Sequence, residues 1–209
     1  MRVRCTVERM LPALLAVPDS DLALGARHLL DRHGAPWLVG HSHRTYHLGK
    51  AAAERVGRHP DPELTFVAAM LHDIALATGL DDDPDEDFHV IGGRIAQRFV
   101  EGVGRTDREA TLVRDAIALH LDLTSADDAR DEVAAVHLGA VIDVVGLHLD
   151  DVPADVVEAV LAEHPRVGTK AALRAAFEHE VRRRPTGAFA SLRDRFGFAE
   201  LIAAAPYAE

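Results

Sequence analysis

The chain has 209 residues, of which 48% are hydrophobic, 27% charged and only 5% aromatic, and it carries a formal net charge of −11. That length suits one domain with a sizeable core, and a composition rich in Ala, Leu and Val favours helices over sheets. The acidic balance argues against binding a phosphate backbone as the main task, and Cys5 as the only cysteine excludes an intrachain disulfide and thiolate metal clusters. Any metal must therefore rest on His, Asp or Glu.

The first eighteen residues, "MRVRCTVERMLPALLAVP", place Arg2 and Arg4 ahead of an apolar patch that Glu8 and Arg9 interrupt, without a clear small-residue cleavage site. No apolar run approaches the length of a bilayer span. We expect a cytoplasmic protein with a small-molecule substrate and neither nucleic acid nor membrane as partner. A homodimer is left open.

Apolar periodicity predicts an all-α, single-domain helical bundle, with helices over about 20–32, 36–57, 61–77, 87–102, 107–121, 130–149, 153–164 and 168–183 and a shorter helical tail after Phe189. "HPDPEL" offers Asp61 as N-cap with Pro62 at the first helical position, and Gly79 ends the same helix. The acidic stretch Asp81 to Asp87 reads as a solvated connection.

Thirteen histidines are too many to be ligands together, so helical phase must sort them. At about 100° per residue, His41 shares a face with Leu48, Ala52 and Val56 and points inward. His43 and His47 form an i, i+4 pair that could meet a metal, but they fall among Lys50 and Glu54 and read as a solvated face. "FVAAMLHDIALA" is apolar on nearly every side of His72 and Asp73, so both are expected to be buried. In "AAVHLGAVIDVVGLHLD", Asp143 shares its face with Val136, Gly139, Ala140, Gly146 and Leu147, and no local partner offsets its charge. One divalent cation could neutralise both acids at once, with His41 and His72 as further ligands. His137 and His148 read as ordinary helix histidines, and His28, His33, His59, His164 and His179 show no constellation.

The ordered set His41, His72-Asp73 and Asp143 resembles the H…HD…D signature of the HD-domain superfamily of metal-dependent hydrolases. Within it, "HSHRTYHLG", "AAMLHDIALAT", "FHVIGG", "AIALH" and "GAVIDVVG" are similar to blocks of the cyanamide hydratase-like group. The resemblance covers about residues 37–150, which sets an HD-type core against an N-terminal helical extension at 1–36 and C-terminal helices at 151–209 packing on it. It implies one zinc held by His41, His72, Asp73 and Asp143, with His120 facing the substrate. Two departures from the group's pattern, His89 and Ala75, lie near the supposed site. His89 and His120 could instead serve a second metal, an arrangement similar to that of HD-domain phosphodiesterases and mixed-valent di-iron oxygenases.

Imidazoles and carboxylates suit zinc, ferrous iron or manganese, and a bound ion would acidify a water toward neutral pH. Asp73 could accept a hydrogen bond from that water through its non-ligating oxygen, His120 could shuttle a proton, and Arg44, near His41 on the same helix, could orient a substrate or form an ion pair. The preferred reading is hydration of cyanamide or a nitrile. The alternatives are a phosphohydrolase acting on a nucleotide or other small phosphate ester, with Arg44, Lys50 and Arg94 as its cations; a di-iron oxygenase; and a non-catalytic metal- or ligand-binding domain.

Overall fold

The computed structural model describes residues 15–77, 80 and 83–209. Regular structure there is carried by α1 Asp21–His33, α2 Pro36–Arg55, α3 Pro62–Leu71, α4 Phe88–Gly102, α5 Asp107–Ala118, α6 Asp131–Val145, α7 Ala154–Glu163, α8 Thr169–Arg183, α9 Ala188–Phe196 and α10 Phe198–Ala204, with three short 3₁₀ turns. No strand occurs among the described residues, in agreement with the expected all-α bundle. Cys5 and the rest of the first fourteen residues, the Gly79 helix stop and Asp81 lie outside the described residues.

Helix starts follow the local chemistry. The Asp61 carboxylate accepts from Leu64 N at 2.9 Å, with Pro62 opening α3 behind it. A capping box opens α5, where Thr106 and Glu109 satisfy each other's backbone N–H. Helix ends depart from expectation near the functional residues. The helix expected to run to 77 stops at Leu71, because the His72 ring turns back and donates from Nδ1 to the Ala69 carbonyl at 2.8 Å, the group that a continuing helix would bond to the Asp73 N–H. His72 and Asp73 therefore sit at a break, followed by a 3₁₀ turn over Ile74–Leu76. The helix expected to run to 149 ends at Val145, where Gly146 adopts a left-handed cap with φ 77°. Leu147, placed by phase on the packed face, lies beyond that cap and is exposed. The tail after Phe189 becomes parts of two helices joined at Gly197, φ 60°.

The most extensive helix pair is α2 against α6, and its spacing is set by small residues. A Cβ at Gly139 would collide with the Thr45 carbonyl, and one at Gly49 with the Ala135 carbonyl. Gly139→Ala is accordingly expected to destabilise the fold by about 1–3 kcal/mol through overpacking. Urea unfolding would read this as a lower midpoint at unchanged slope, and an unaltered midpoint would mean that the two backbones do not need this approach. Around the pair, α1, α3, α4 and α5 close the main core on Leu30, Phe66, Met70, Val100 and Ile117. The last three helices gather a separate apolar cluster around Leu173, Phe177 and Ile202.

Candidate metal centre

Three elements converge at the break after α3. His41 comes from α2, His72 and Asp73 from the break itself, and His120 from just past the end of α5. All four are buried. Each imidazole is anchored through Nδ1: His41 donates to Asp143 at 2.7 Å, His72 to the Ala69 carbonyl at 2.8 Å and His120 to the Ile117 carbonyl at 2.7 Å. Carbonyls and an ionised carboxylate only accept, so the three Nδ1 atoms carry protons and the three Nε2 atoms face Asp73 with lone pairs. His41 Nε2 and His72 Nε2 both lie 3.5 Å from Asp73 Oδ2, and His120 Nε2 lies 3.5 Å from Asp73 Oδ1.

This cradle favours positive charge. His41 Nε2 and His72 Nε2 are 3.0 Å apart, a distance at which two lone pairs repel unless a positive charge lies between them. Asp73 Oδ1 is buried without a hydrogen-bond partner. The electrostatics follow: burial opposes charge on His41, but Asp143 and Asp73 more than offset it and raise its affinity for a proton, while burial lowers that of His72. Burial would likewise raise Asp73, yet the surrounding imidazoles hold it well below the usual carboxylate range. A metal fits the same place. Bonds of 2.0–2.2 Å at tetrahedral angles put ligand atoms roughly 3.3–3.6 Å apart, close to the spacing among His41, His72 and Asp73, whose ligand atoms can share one ion.

Asp143 occupies a different position from these three. It is fully buried and meets His41 at Nδ1, on the side of the ring away from Asp73. Its charge, for which the sequence offered no local partner, is matched by two guanidiniums: Arg44 donates from Nε to Oδ1 at 2.7 Å and from NH2 to Oδ2 at 3.1 Å, and Arg166 donates from NH1 to Oδ1. Arg44 also donates from NH1 to the carbonyls of His164, at 3.1 Å, and Pro165, at 3.4 Å. It is thus committed to the structure behind His41 and does not line the pocket in front of it. Arg166, in the α7–α8 connection, carries no motif that would single it out in the sequence.

In front of the cradle lies an apolar pocket of about 70 Å³. Its floor is His41, His72, Asp73, His120 and His137, and α8, α9 and α10 wall it with Leu173, Phe177, Phe189, Phe198 and Ile202. His137, read from the sequence as an ordinary helix histidine, is buried here and donates from Nδ1 to the His120 carbonyl at 2.8 Å. His148 is exposed and pairs with Asp151, as an ordinary surface histidine does. The His89 ring centroid is 6.1 Å from that of His120, and its Nδ1 is buried without a partner. Among the described residues, neither group of side chains close enough to share an ion includes His89. Asp83 to Asp87 is more than a solvated link, since the Asp87 carboxylate accepts from Ala188 N at 3.0 Å and the Asp83 carbonyl from Arg184.

His43 and His47 depart from expectation too. The end of α7 covers them: His47 is buried and His43 half-buried, and both pack against His164. Burial, reinforced by neighbouring positive charge, lowers His43 to about 4 and His47 to about 3, and it also lowers His120 and His137. The unfolded chain would bind protons at these sites below about 6.5 while the folded one does not. Stability from these groups is therefore full above that pH and is lost as pH falls toward the folded values; His41, raised, opposes the trend alone. We expect the thermal midpoint of chelator-treated protein to drop between pH 7 and 5, before Asp73 and Asp143 begin to protonate in the unfolded state near 3.8. A flat midpoint across that range would contradict it.

The HD domain family model matches residues 38–185. The chain is also similar to two cyanamide hydratases of Saccharomyces cerevisiae, DDI2 and DDI3, each 25% identical over 209 residues that cover 94% of this chain and 92% of the relative. No helix among the described residues is long and apolar enough to cross a membrane. With the family match covering most of the chain and a histidine–aspartate cluster whose ligand atoms lie close enough to share one ion, the chain belongs to the HD domain family of metal-dependent hydrolases and hydro-lyases.

Proposed function

We propose that this protein hydrates a small carbon–nitrogen triple bond, that its substrate is a nitrile with a compact hydrocarbon group, and that its ion is zinc. The observation that carries the reading is the pairing of a charged cradle with apolar walls. A nitrile presents one polar end to His41, His72, Asp73 and His120 and one apolar end to Phe177, Phe189 and Phe198. No Arg or Lys occurs among the described residues lining the pocket, whereas phosphoryl transfer calls for cations around the phosphoryl oxygens. Arg44 is bound to Asp143, Lys50 to Glu54 at 2.6 Å and Arg94 to Glu86 at 2.5 Å. Similarity to the yeast cyanamide hydratases supports the same class of bond.

A bound zinc would supply Lewis acidity and a water of lowered pKa. The remaining work falls to the chain. Asp73 Oδ1, which has no other partner, accepts a proton from water as its oxygen bonds to the nitrile carbon and one carbon–nitrogen π bond opens. His120, whose Nε2 faces that oxygen, relays the proton to the nitrogen, and the resulting imidic acid tautomerises to the amide. Atoms balance as nitrile plus water giving amide, with no leaving group. Asp143, Arg44 and Arg166 hold His41 in orientation from behind.

Zinc-loaded protein assayed for amide or urea formation should favour a three- or four-carbon nitrile over cyanamide by about 10-fold or more in kcat/KM, the effect of one or two apolar contacts. Preference for cyanamide would overturn the apolar substrate. Phosphate release from monoesters with no amide from any nitrile would overturn the reaction.

A further inference from the structure

A second group of side chains lies close enough to share an ion, and none of its members lines the pocket. His43 and His47 stand one turn apart on α2, and His164 follows directly on α7. One ligand atom from each lies within 4.8 Å of the other two. The rings of His43 and His164 stack at 4.5 Å with their planes 8° apart, and the His47 ring is 5.9 Å from that of His164.

Packing alone leaves part of this cluster unexplained. His43 Nδ1 is buried with no hydrogen-bond partner, an expensive arrangement for an imidazole that could instead face solvent. The three rings line an open pocket with Glu163, whose exposed carboxylate favours a cation at the mouth. Arg27 also lines it, but pairs with Asp31 at 3.6 Å, and the charge of nearby Arg44 is matched by Asp143. Burial holds His47 at about 3 and lowers His164, so both rings are neutral near pH 7 and offer lone pairs. An all-imidazole donor set selects zinc, copper or nickel over calcium or magnesium.

We propose that His43, His47 and His164 form a second, solvent-accessible site for a divalent transition ion of the zinc type, separate from the buried cradle. Tetrahedral zinc needs its nitrogen ligands about 3.4 Å apart, so the three atoms, now within 4.8 Å of one another, must close by up to about 1.4 Å and the stacked rings must turn until their lone pairs converge. His164, a terminal residue with non-helical φ of −122°, is placed to make that adjustment. The consequence reaches the first site. The carbonyls of His164 and Pro165 accept from Arg44, and Arg166 donates to Asp143, so an ion held by His164 pins the segment that fixes Asp143 behind His41. The second ion is therefore a stabiliser of the α2–α7 junction. The inference does not depend on which reaction the buried cradle performs.

Metal-stripped protein reloaded with zinc and dialysed should retain two zinc ions per chain. His47→Ala and His164→Ala should each retain one, His72→Ala should also retain one, and His72→Ala combined with His164→Ala should retain none. In the unmutated protein, side-chain NMR signals of His43, His47 and His164 should shift together with one of the two equivalents, a readout that no misfolded variant can obscure. That same equivalent should raise the thermal midpoint, and the rise should vanish in His164→Ala. One zinc per unmutated chain, or a second zinc that persists in both His47→Ala and His164→Ala, would overturn the proposal.

Discussion

Asp143→Ala is expected to cost the protein much of its stability. The side chain is fully buried and accepts hydrogen bonds from Arg44, Arg166 and His41. Alanine would leave two guanidiniums inside the protein with no counter-charge, and removing one partner of a buried ion pair costs about 3–5 kcal/mol. Against a total stability of about 5–15 kcal/mol for an ordinary domain, that loss is enough to unfold a marginal one. Asp143→Asn keeps the shape and loses the charge, so it should fold more often and isolate the effect on His41. Metal affinity in that variant should fall by about 10- to 100-fold, the usual effect of removing a group that orients a ligating histidine. Urea unfolding and zinc titration measure the two effects separately. Near-native stability in Asp143→Ala would show that Arg44 and Arg166 find other partners and that the carboxylate is not their anchor.

Asp73→Asn should act mainly on metal binding. The substitution keeps the volume of the side chain but removes the acid that three imidazole Nε2 atoms surround at 3.5 Å. Without metal, the imidazoles that hold the Asp73 carboxyl below its usual range favour its charge in the fold, so neutralising the group should lower stability modestly. Metal binding at the cradle should fall by more than about 100-fold, since a ligand contributes more than a group that only orients one. Catalysis should fall at least as far, because the same carboxylate is the proposed proton acceptor. His72→Ala should match it in metal loss and lower stability further, by opening a cavity in a packed region. Calorimetric titration of zinc into Asp73→Asn is the decisive measurement: wild-type affinity there would remove Asp73 from the centre.

These two carboxylates show how far residue patterns reach. Both were legible as buried acids because each sits in a helical stretch of apolar residues, and a helix that is apolar on most sides has no wet face. What neutralises each was not legible in the same way. Arg166 lies 23 residues beyond Asp143, and no periodicity connects them. Arg44 was visible as a neighbour of His41, but its two alternatives, substrate or ion pair, are separated only by which side of the His41 ring it occupies.

His43 and His47 illustrate the limit of helical phase. Phase sets which residues share a face and says nothing about how many faces a neighbouring element covers. Helix α2 is buried against α6 on one side and beneath the end of α7 on another, so a face marked polar by Lys50 and Glu54 still holds a buried imidazole. Similarly, His137 looked unremarkable until α8, α9 and α10 folded across the open side of α6 and made a pocket there.

By itself the sequence determined the helical class, the capped helix start at Asp61, and the inward set of His41, His72 and Asp73, because these follow from propensity, capping and period within about twenty residues of chain. The tertiary structure alone decided the break at His72, the ion pairs that hold Asp143, the apolar wall over the cradle and the meeting of His164 with His43 and His47. Each of these depends on contacts between segments distant along the chain or on a side chain competing with its own backbone, and their energies are settled only when the helices pack.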